Sequence, residues 1–257
     1  MLIDYSLIKK QVQGYIEMKK IQRILFLLSG ILSSIFIVLL SISIIFYPGG
    51  ARLGLTDTIG YSFLYNFISD LGRVIAINGE DNFVSHILFS SGLIILSVAQ
   101  FAYHLNIQFL IRQKRSSTIL GIISAVFGAT YTIQYIALAL VPYDVNDNLH
   151  NKFIYSGAPF LFVACLILMI AIFLDTNIPN RFAYLWMVLV IEFALFAIAT
   201  GIGTSLEQDT NWIIRMAGHT ILIYTETIIF GIQGIWIWLF LRKKHINSIS
   251  IVNQANI

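Results

Sequence analysis

The sequence predicts an all-α integral membrane protein: a bundle of six transmembrane helices with an extra amphipathic helix in the first external loop. Hydrophobic residues make up 58% of the chain and charged residues only 11%, whereas soluble domains carry about 25% charged residues. Six apolar runs each approach or exceed the roughly 20 residues that a helix needs to cross the hydrocarbon of a bilayer. These runs lie at 24–47, 83–111, 118–141, 153–174, 182–200 and 212–241. We therefore expect one transmembrane domain at 21–245.

The chain begins with a basic segment, residues 1–20, in which apolar residues near one helical face are surrounded by lysines. This pattern is typical of an amphipathic helix on an anionic cytoplasmic leaflet, and a frayed basic tail fits the same residues equally well. The apolar run that follows is much longer than the roughly 7–15 residues of a signal-peptide core, so no cleavable signal is predicted. Residues 246–257 are expected to form a cytoplasmic tail.

The distribution of positive charge predicts the orientation of the bundle. With a cytoplasmic N-terminus, all but four of the 16 lysines and arginines fall on the cytoplasmic side. The four on the other side are Arg52, Arg73, Lys152 and Arg215. We therefore expect a multi-pass protein of the cell membrane with both termini in the cytoplasm.

Residues 61–75 form the longest polar-bearing passage in the chain. On a helix, one face would carry Tyr61, Leu64, Tyr65, Ile68, Leu71 and Ile75, and the other Ser62, Asn66, Ser69, Asp70 and Arg73. Such a helix could lie in the membrane interface or fold into the mouth of the bundle with its polar side inward. We predict the second arrangement.

Several other polar residues belong to the same end of the predicted bundle. The candidate binding residues are Asn66, Ser69, Asp70, Arg73, Asp144, His150, His219 and Glu226. Zinc takes three or four N, O or S ligands, so His86, His150 and His219, at the outer ends of three helices, are candidate zinc ligands. The three come from separate segments, and histidine also serves as an amphipathic anchor near the headgroups.

Two carboxylates, Glu192 and Glu226, lie within apolar runs. An ionisable group at such depth costs roughly 2.5–3.5 kcal/mol on insertion scales and normally faces the bundle interior with a partner. Glu226 follows His219 by about two helical turns on roughly the same face. Both glutamates are functional candidates, and the alternative is a protonated glutamate that hydrogen-bonds a neighbouring helix.

The passage Asn66-Phe-Ile-Ser69-Asp70-Leu-Gly72 resembles the multispanning family catalogued as domain of unknown function 998. The resemblance rests on six helices, an Asn-x-x-Ser-Asp-x-Gly passage after the first helix, and a proline-acid segment followed by a histidine after the third. Here that segment reads Val141-Pro142-Tyr143-Asp144 and is followed by His150. The resemblance implies the architecture and a candidate site at Asn66, Ser69, Asp70, Asp144 and His150, and it implies no activity.

The sequence is compatible with three functions. The first is a non-catalytic bundle that handles lipids or small amphiphiles through a polar pocket on the extracytoplasmic face. The second is a metal-dependent membrane hydrolase of a lipid amide or ester, with zinc as cofactor and Asp70 or Glu226 as general base. The third is a proton-coupled carrier that uses Glu192 and Glu226. Membrane lipids are the expected partners, no basic patch suggests nucleic acid, and a homo-oligomer is left open.

Overall fold

A computed structural model describes the backbone of residues 5–255 and the side chains of residues 20–244. Within this part the chain is all-helical, with six helices long and apolar enough to cross a membrane. They are α1 Tyr5–Phe46, α2 Phe83–Ile107, α3 Arg115–Leu140, α4 Asp147–Leu174, α5 Arg181–Gly203 and α6 Gln208–Ala255. The predicted six-helix, multi-pass membrane fold is confirmed. The side chains of the predicted amphipathic segment before Lys20, and those of the tail 246–257, lie outside the described residues.

The six helices close into a ring because each packs against its neighbours in the chain and α6 returns to α1. α2 also contacts α6. Glycines allow α1 and α6 to approach closely: a Cβ at Gly234 would lie 2.6 Å from both the backbone oxygen of Phe26 and the backbone nitrogen of Gly30. Small residues at such contacts are common in membranes, where lipid supplies little driving force for helix association.

Residues 47–82, which connect α1 to α2, lie at the end of the ring where α2, α4 and α6 begin. This end is called the loop end below. The predicted amphipathic helix at 61–75 was wrong, because the only helical turn that the structure describes there is a 3₁₀ turn at Ile68–Gly72. Two side chains compete for the backbone groups that a helix would use. Asn66 Oδ1 accepts the N–H of Ser62 at 3.0 Å, and Asp70 Oδ2 accepts the N–H of Phe67 at 2.9 Å.

Candidate functional site

The centre of the loop end is an ion pair between Asp70 and Arg52. Arg52 Nε donates to Asp70 Oδ2 at 3.1 Å, and Arg52 Nη2 donates to Asp70 Oδ1 at 2.6 Å. The Asp70 side chain is fully buried, while that of Arg52 is 18% exposed. Burial lowers the pKa of Arg52, but the hydrogen bonds and charge of Asp70 outweigh it, so the pKa is raised overall. The pair is the bidentate, charge-assisted kind that fixes geometry as well as energy.

Two aromatic rings extend this pair toward neighbouring helices. The Arg52 guanidinium lies 5.0 Å from the centre of the Phe67 ring and 4.7 Å from that of Tyr143, in the link between α3 and α4. The Arg73 guanidinium also lies over Tyr143, at 5.7 Å, and its Nη1 is 4.0 Å from Asp70 Oδ1. Cation–π contacts of this kind add to the attraction that holds both guanidinium groups.

The same two rings reach a pair of histidines. The Tyr143 ring lies 5.7 Å from the ring of His150 in α4, and the Phe67 ring lies 6.0 Å from the ring of His219 in α6. The structure therefore brings together residues from the loop, the α3–α4 link, α4 and α6. We call this set the loop-end cluster: Arg52, Phe67, Asp70, Arg73, Tyr143, His150 and His219.

Each histidine of the cluster has a buried ring nitrogen with no hydrogen-bond partner among residues 20–244. His150 Nδ1 donates to the Val141 carbonyl at 2.7 Å, which leaves Nε2 unpartnered. In His219 the unpartnered atom is Nδ1. Buried polar groups in folded proteins are nearly always satisfied by protein, water or a ligand. The two atoms are therefore free to form a hydrogen bond with water or with a ligand.

Asn66 and Asp144 hold the loop in place. The Asn66 amide donates to the Gly50 carbonyl at 3.0 Å. Asp144 accepts the N–H groups of Val74 and Ile75 at 3.1 and 2.9 Å, which ties the loop to the α3–α4 link. Both residues were predicted to bind a ligand. Because these hydrogen bonds occupy their side chains, Asn66 and Asp144 support the structure of the loop instead. Ser69 is buried in the 3₁₀ turn beside Asp70.

His86 lies in the first turn of α2 and connects this helix to the loop. Its Nδ1 donates to the Gly72 carbonyl at 2.7 Å, and Ser85 and Asn82 donate to the carbonyl of Leu71 at 3.2 and 3.1 Å. Among residues 20–244, no group of three or more His, Cys, Asp and Glu side chains could hold a metal ion. The structure thus does not assemble His86, His150 and His219 into the predicted zinc site.

Glu226 lies apart from the loop end, midway along the apolar part of α6, Gln208–Lys244. It is 2% exposed and faces the interior of the ring. Oε1 accepts hydrogen bonds from Gln100 Nε2 of α2 at 2.6 Å and from the Tyr131 hydroxyl of α3 at 2.8 Å. Oε2 accepts one from the Tyr135 hydroxyl of α3 at 3.1 Å. The structure therefore separates Glu226 from the other predicted binding residues.

Sequence reasoning missed Arg52 as the partner of Asp70, and it missed both tyrosines that bind Glu226. The tyrosines carried a signal, because residues four apart share a helix face and buried tyrosine hydroxyls usually find a hydrogen-bond partner. No comparable signal exists for Arg52, which lies in a loop.

The fold and these contacts define a class: a multi-pass helical membrane protein with a polar cluster under the loop at one end and a buried carboxylate at mid-span. No family model, curated protein or solved structure matches the chain. The resemblance to domain of unknown function 998 therefore stays a prediction.

Proposed function

We propose that the protein binds the phosphate-bearing headgroup of a lipid or small amphiphile at its loop end, on the extracytoplasmic face, without covalent chemistry. The observation that carries this proposal is the loop-end cluster, in which two arginines and two histidines are held on the Phe67 and Tyr143 rings. The extracytoplasmic placement is supported by the positive charges, since all but four of the 16 lysines and arginines belong to the opposite side.

The hydrogen-bonding capacity left free in the cluster indicates the class of ligand. Asp70 and Asp144 are occupied by an arginine and by backbone N–H groups. Arg73 uses Nε to donate to the Ile75 carbonyl at 3.0 Å, and its Nη1 only approaches Asp70. A guanidinium with free terminal nitrogens is well suited to phosphate oxygens. The ligand is therefore expected to offer an anionic group to Arg73.

His150 adds a second requirement. Because His150 Nδ1 donates to a carbonyl, the neutral ring presents its unpartnered Nε2 as an acceptor. A headgroup hydroxyl can donate to that atom. A phosphate that carries a hydroxylated substituent, as in phosphatidylglycerol, meets both requirements. The acyl chains of such a lipid would lie along the apolar outer surface of the helices.

Native mass spectrometry of the purified protein tests the proposal by titration with phosphatidylglycerol and, separately, with diacylglycerol, which lacks the phosphate. We expect one phosphatidylglycerol to be retained by the wild type and no specific retention of diacylglycerol. Loss of a hydrogen bond to a charged group is worth about 10- to 100-fold in affinity, so Arg73→Gln is expected to weaken retention by about that factor.

The matched control is Lys152→Gln, which removes an exposed positive charge near the start of α4 at the same end of the bundle. It is expected to leave lipid retention unchanged. Equal loss in the two variants would show that only general surface charge attracts the lipid. Equal retention of diacylglycerol and phosphatidylglycerol would show that no headgroup is recognised.

A further inference from the structure

In its ionised state, Glu226 carries a charge that the described residues do not balance. Its carboxylate receives three hydrogen bonds, all from neutral donors. Among residues 20–244, no lysine, arginine or histidine forms an ion pair with it. Carboxylates inside a membrane are normally paired with a cation or protonated. Because no described side chain supplies a cation, a proton is the partner that would neutralise Glu226.

The amide of Gln100 shows how a proton would be accommodated. The distance between Gln100 Nε2 and Glu226 Oε1 is 2.6 Å. N–H···O bonds have lengths of about 2.7–3.2 Å, whereas O–H···O bonds have lengths of about 2.5–3.0 Å. The oxygen and nitrogen of an amide are nearly identical in shape, so a half-turn of this amide replaces Nε2 by Oε1 at the same place. Gln100 Oε1 is buried and has no partner among the described residues.

We propose that Glu226 is a reversible proton-binding site at the middle of the membrane span, and that rotation of the Gln100 amide supplies the acceptor that the protonated carboxyl needs. In the ionised state, Gln100 Nε2 donates to Oε1 of Glu226. On protonation, a proton from bulk water forms an O–H bond at Oε1, and that O–H donates to Gln100 Oε1. The two tyrosines donate to the carboxyl oxygens in both states. Each state leaves one atom of the amide unpartnered, so neither state is locked by hydrogen bonding.

Several other ionisable groups lie near Glu226. α3 contributes the two bonded tyrosines, Tyr131 and Tyr135, α4 contributes Cys165 and α5 contributes Glu192 within electrostatic range. From α2 the facing group is the uncharged Gln100. One helical turn away, the His104 ring of α2 lies 5.3 Å from the Phe230 ring of α6, and both of its ring nitrogens lack a partner among the described residues. Neither His104 nor any of the other groups named forms an ion pair with Glu226. The ligand of this site is the proton, and the inference is independent of headgroup binding at the loop end.

Infrared difference spectroscopy of the full-length protein in lipid nanodiscs tests this inference. Spectra are recorded while the buffer is titrated between about pH 4 and pH 10. We expect a C=O stretching band of a protonated carboxyl that appears and disappears reversibly and is absent in Glu226→Gln. Glu192→Gln, the matched control in a neighbouring helix, is expected to keep the band. Tyr135→Phe removes one hydrogen bond to the carboxyl and is expected to shift the band to higher wavenumber.

Two results would overturn the inference. One is a spectrum in which no titrating carboxyl band is lost in Glu226→Gln. The other is a Tyr135→Phe protein with an unshifted band, which would assign the titrating carboxyl to another residue. Because Tyr135→Phe keeps the carboxyl, it remains decisive if Glu226→Gln fails to fold.

Discussion

Removal of either member of the Arg52–Asp70 pair is expected to destabilise the protein by an unequal amount. Breaking a buried ion pair by deleting one partner costs about 3–5 kcal/mol, because an uncompensated charge stays buried. Asp70→Asn leaves the Arg52 guanidinium, 18% exposed, without its carboxylate. We expect a cost of about 3–4 kcal/mol for this change. Arg52→Gln leaves the fully buried carboxylate with Arg73 Nη1 at 4.0 Å. Because Arg73 partly replaces the lost charge, we expect a smaller cost of about 2–3 kcal/mol.

A double-mutant cycle measures the interaction itself. The Arg52→Gln, Asp70→Asn double variant is expected to lose no more than Asp70→Asn alone, so the coupling energy should equal at least the Arg52→Gln cost of about 2–3 kcal/mol. The assay is reversible unfolding by SDS in mixed micelles, followed by circular dichroism. Arg215→Gln serves as control because, among residues 20–244, the Arg215 side chain donates to Asn211 of the same helix, at 3.2 Å, and forms no ion pair. A coupling energy below about 0.5 kcal/mol, as found for exposed pairs, would refute the argument. A greater cost for Arg52→Gln than for Asp70→Asn would refute the role given to Arg73.

Three further variants test other contacts by the same unfolding assay. His219→Phe removes a buried, unpartnered Nδ1 and keeps an aromatic ring, so we expect about 1–3 kcal/mol of added stability with loss of headgroup binding; a destabilised variant would contradict this. Gly128→Ala would place a Cβ 2.3 Å from the His104 ring, and we expect a cost of about 1–3 kcal/mol that His104→Ala relieves. Gly121→Ala, whose Cβ would meet its nearest atom at 3.5 Å, is the control. Burial raises the pKa of Tyr47 from 10.0 to about 12. Tyr47 therefore ionises at a lower pH in the unfolded chain than in the folded protein. Its contribution to the free energy of unfolding is fully present below pH 10 and is lost as the pH rises to about 12. The stability difference between wild type and Tyr47→Phe should change by about 3 kcal/mol over that interval, and a constant difference would contradict the buried position of the hydroxyl.

The six spans were predictable because length and composition alone decide whether a helix can cross a bilayer. The absence of the expected helix at 61–75 was not predictable, because the apolar residues of this segment have helical spacing. Asn66 and Asp70 each bind a backbone N–H four or three residues earlier, at Ser62 and Phe67. Any Asn or Asp side chain can accept a hydrogen bond from a nearby backbone N–H and so compete with a helix. The spacing of apolar residues does not show where such a bond forms. The residues that look like a polar helix face are those that prevent the helix.

The candidate site was predictable in its parts and not in its pairings. Asp70 and His150 stood out because polar residues are scarce in this chain. Arg52 is separated from Asp70 by a loop whose path depends on turns and on Asn66, so nothing in the spacing joins the two. His86 was predicted to be a metal ligand. The sequence does not show that its Nδ1 donates to the Gly72 carbonyl, because this hydrogen bond is a tertiary contact. The residue types indicate which end of the bundle carries the polar side chains. Which of these side chains are already hydrogen-bonded depends on how the loop packs.

The hydrogen bonds of Glu226 also bear on the kind of function that the ring can support. α3 and α6 are not neighbours in the ring, so the bonds from Tyr131 and Tyr135 to Glu226 cross its interior at mid-span. A polar molecule could pass from one end of the ring to the other only if these bonds opened. A ligand held at the loop end leaves these crossing bonds intact.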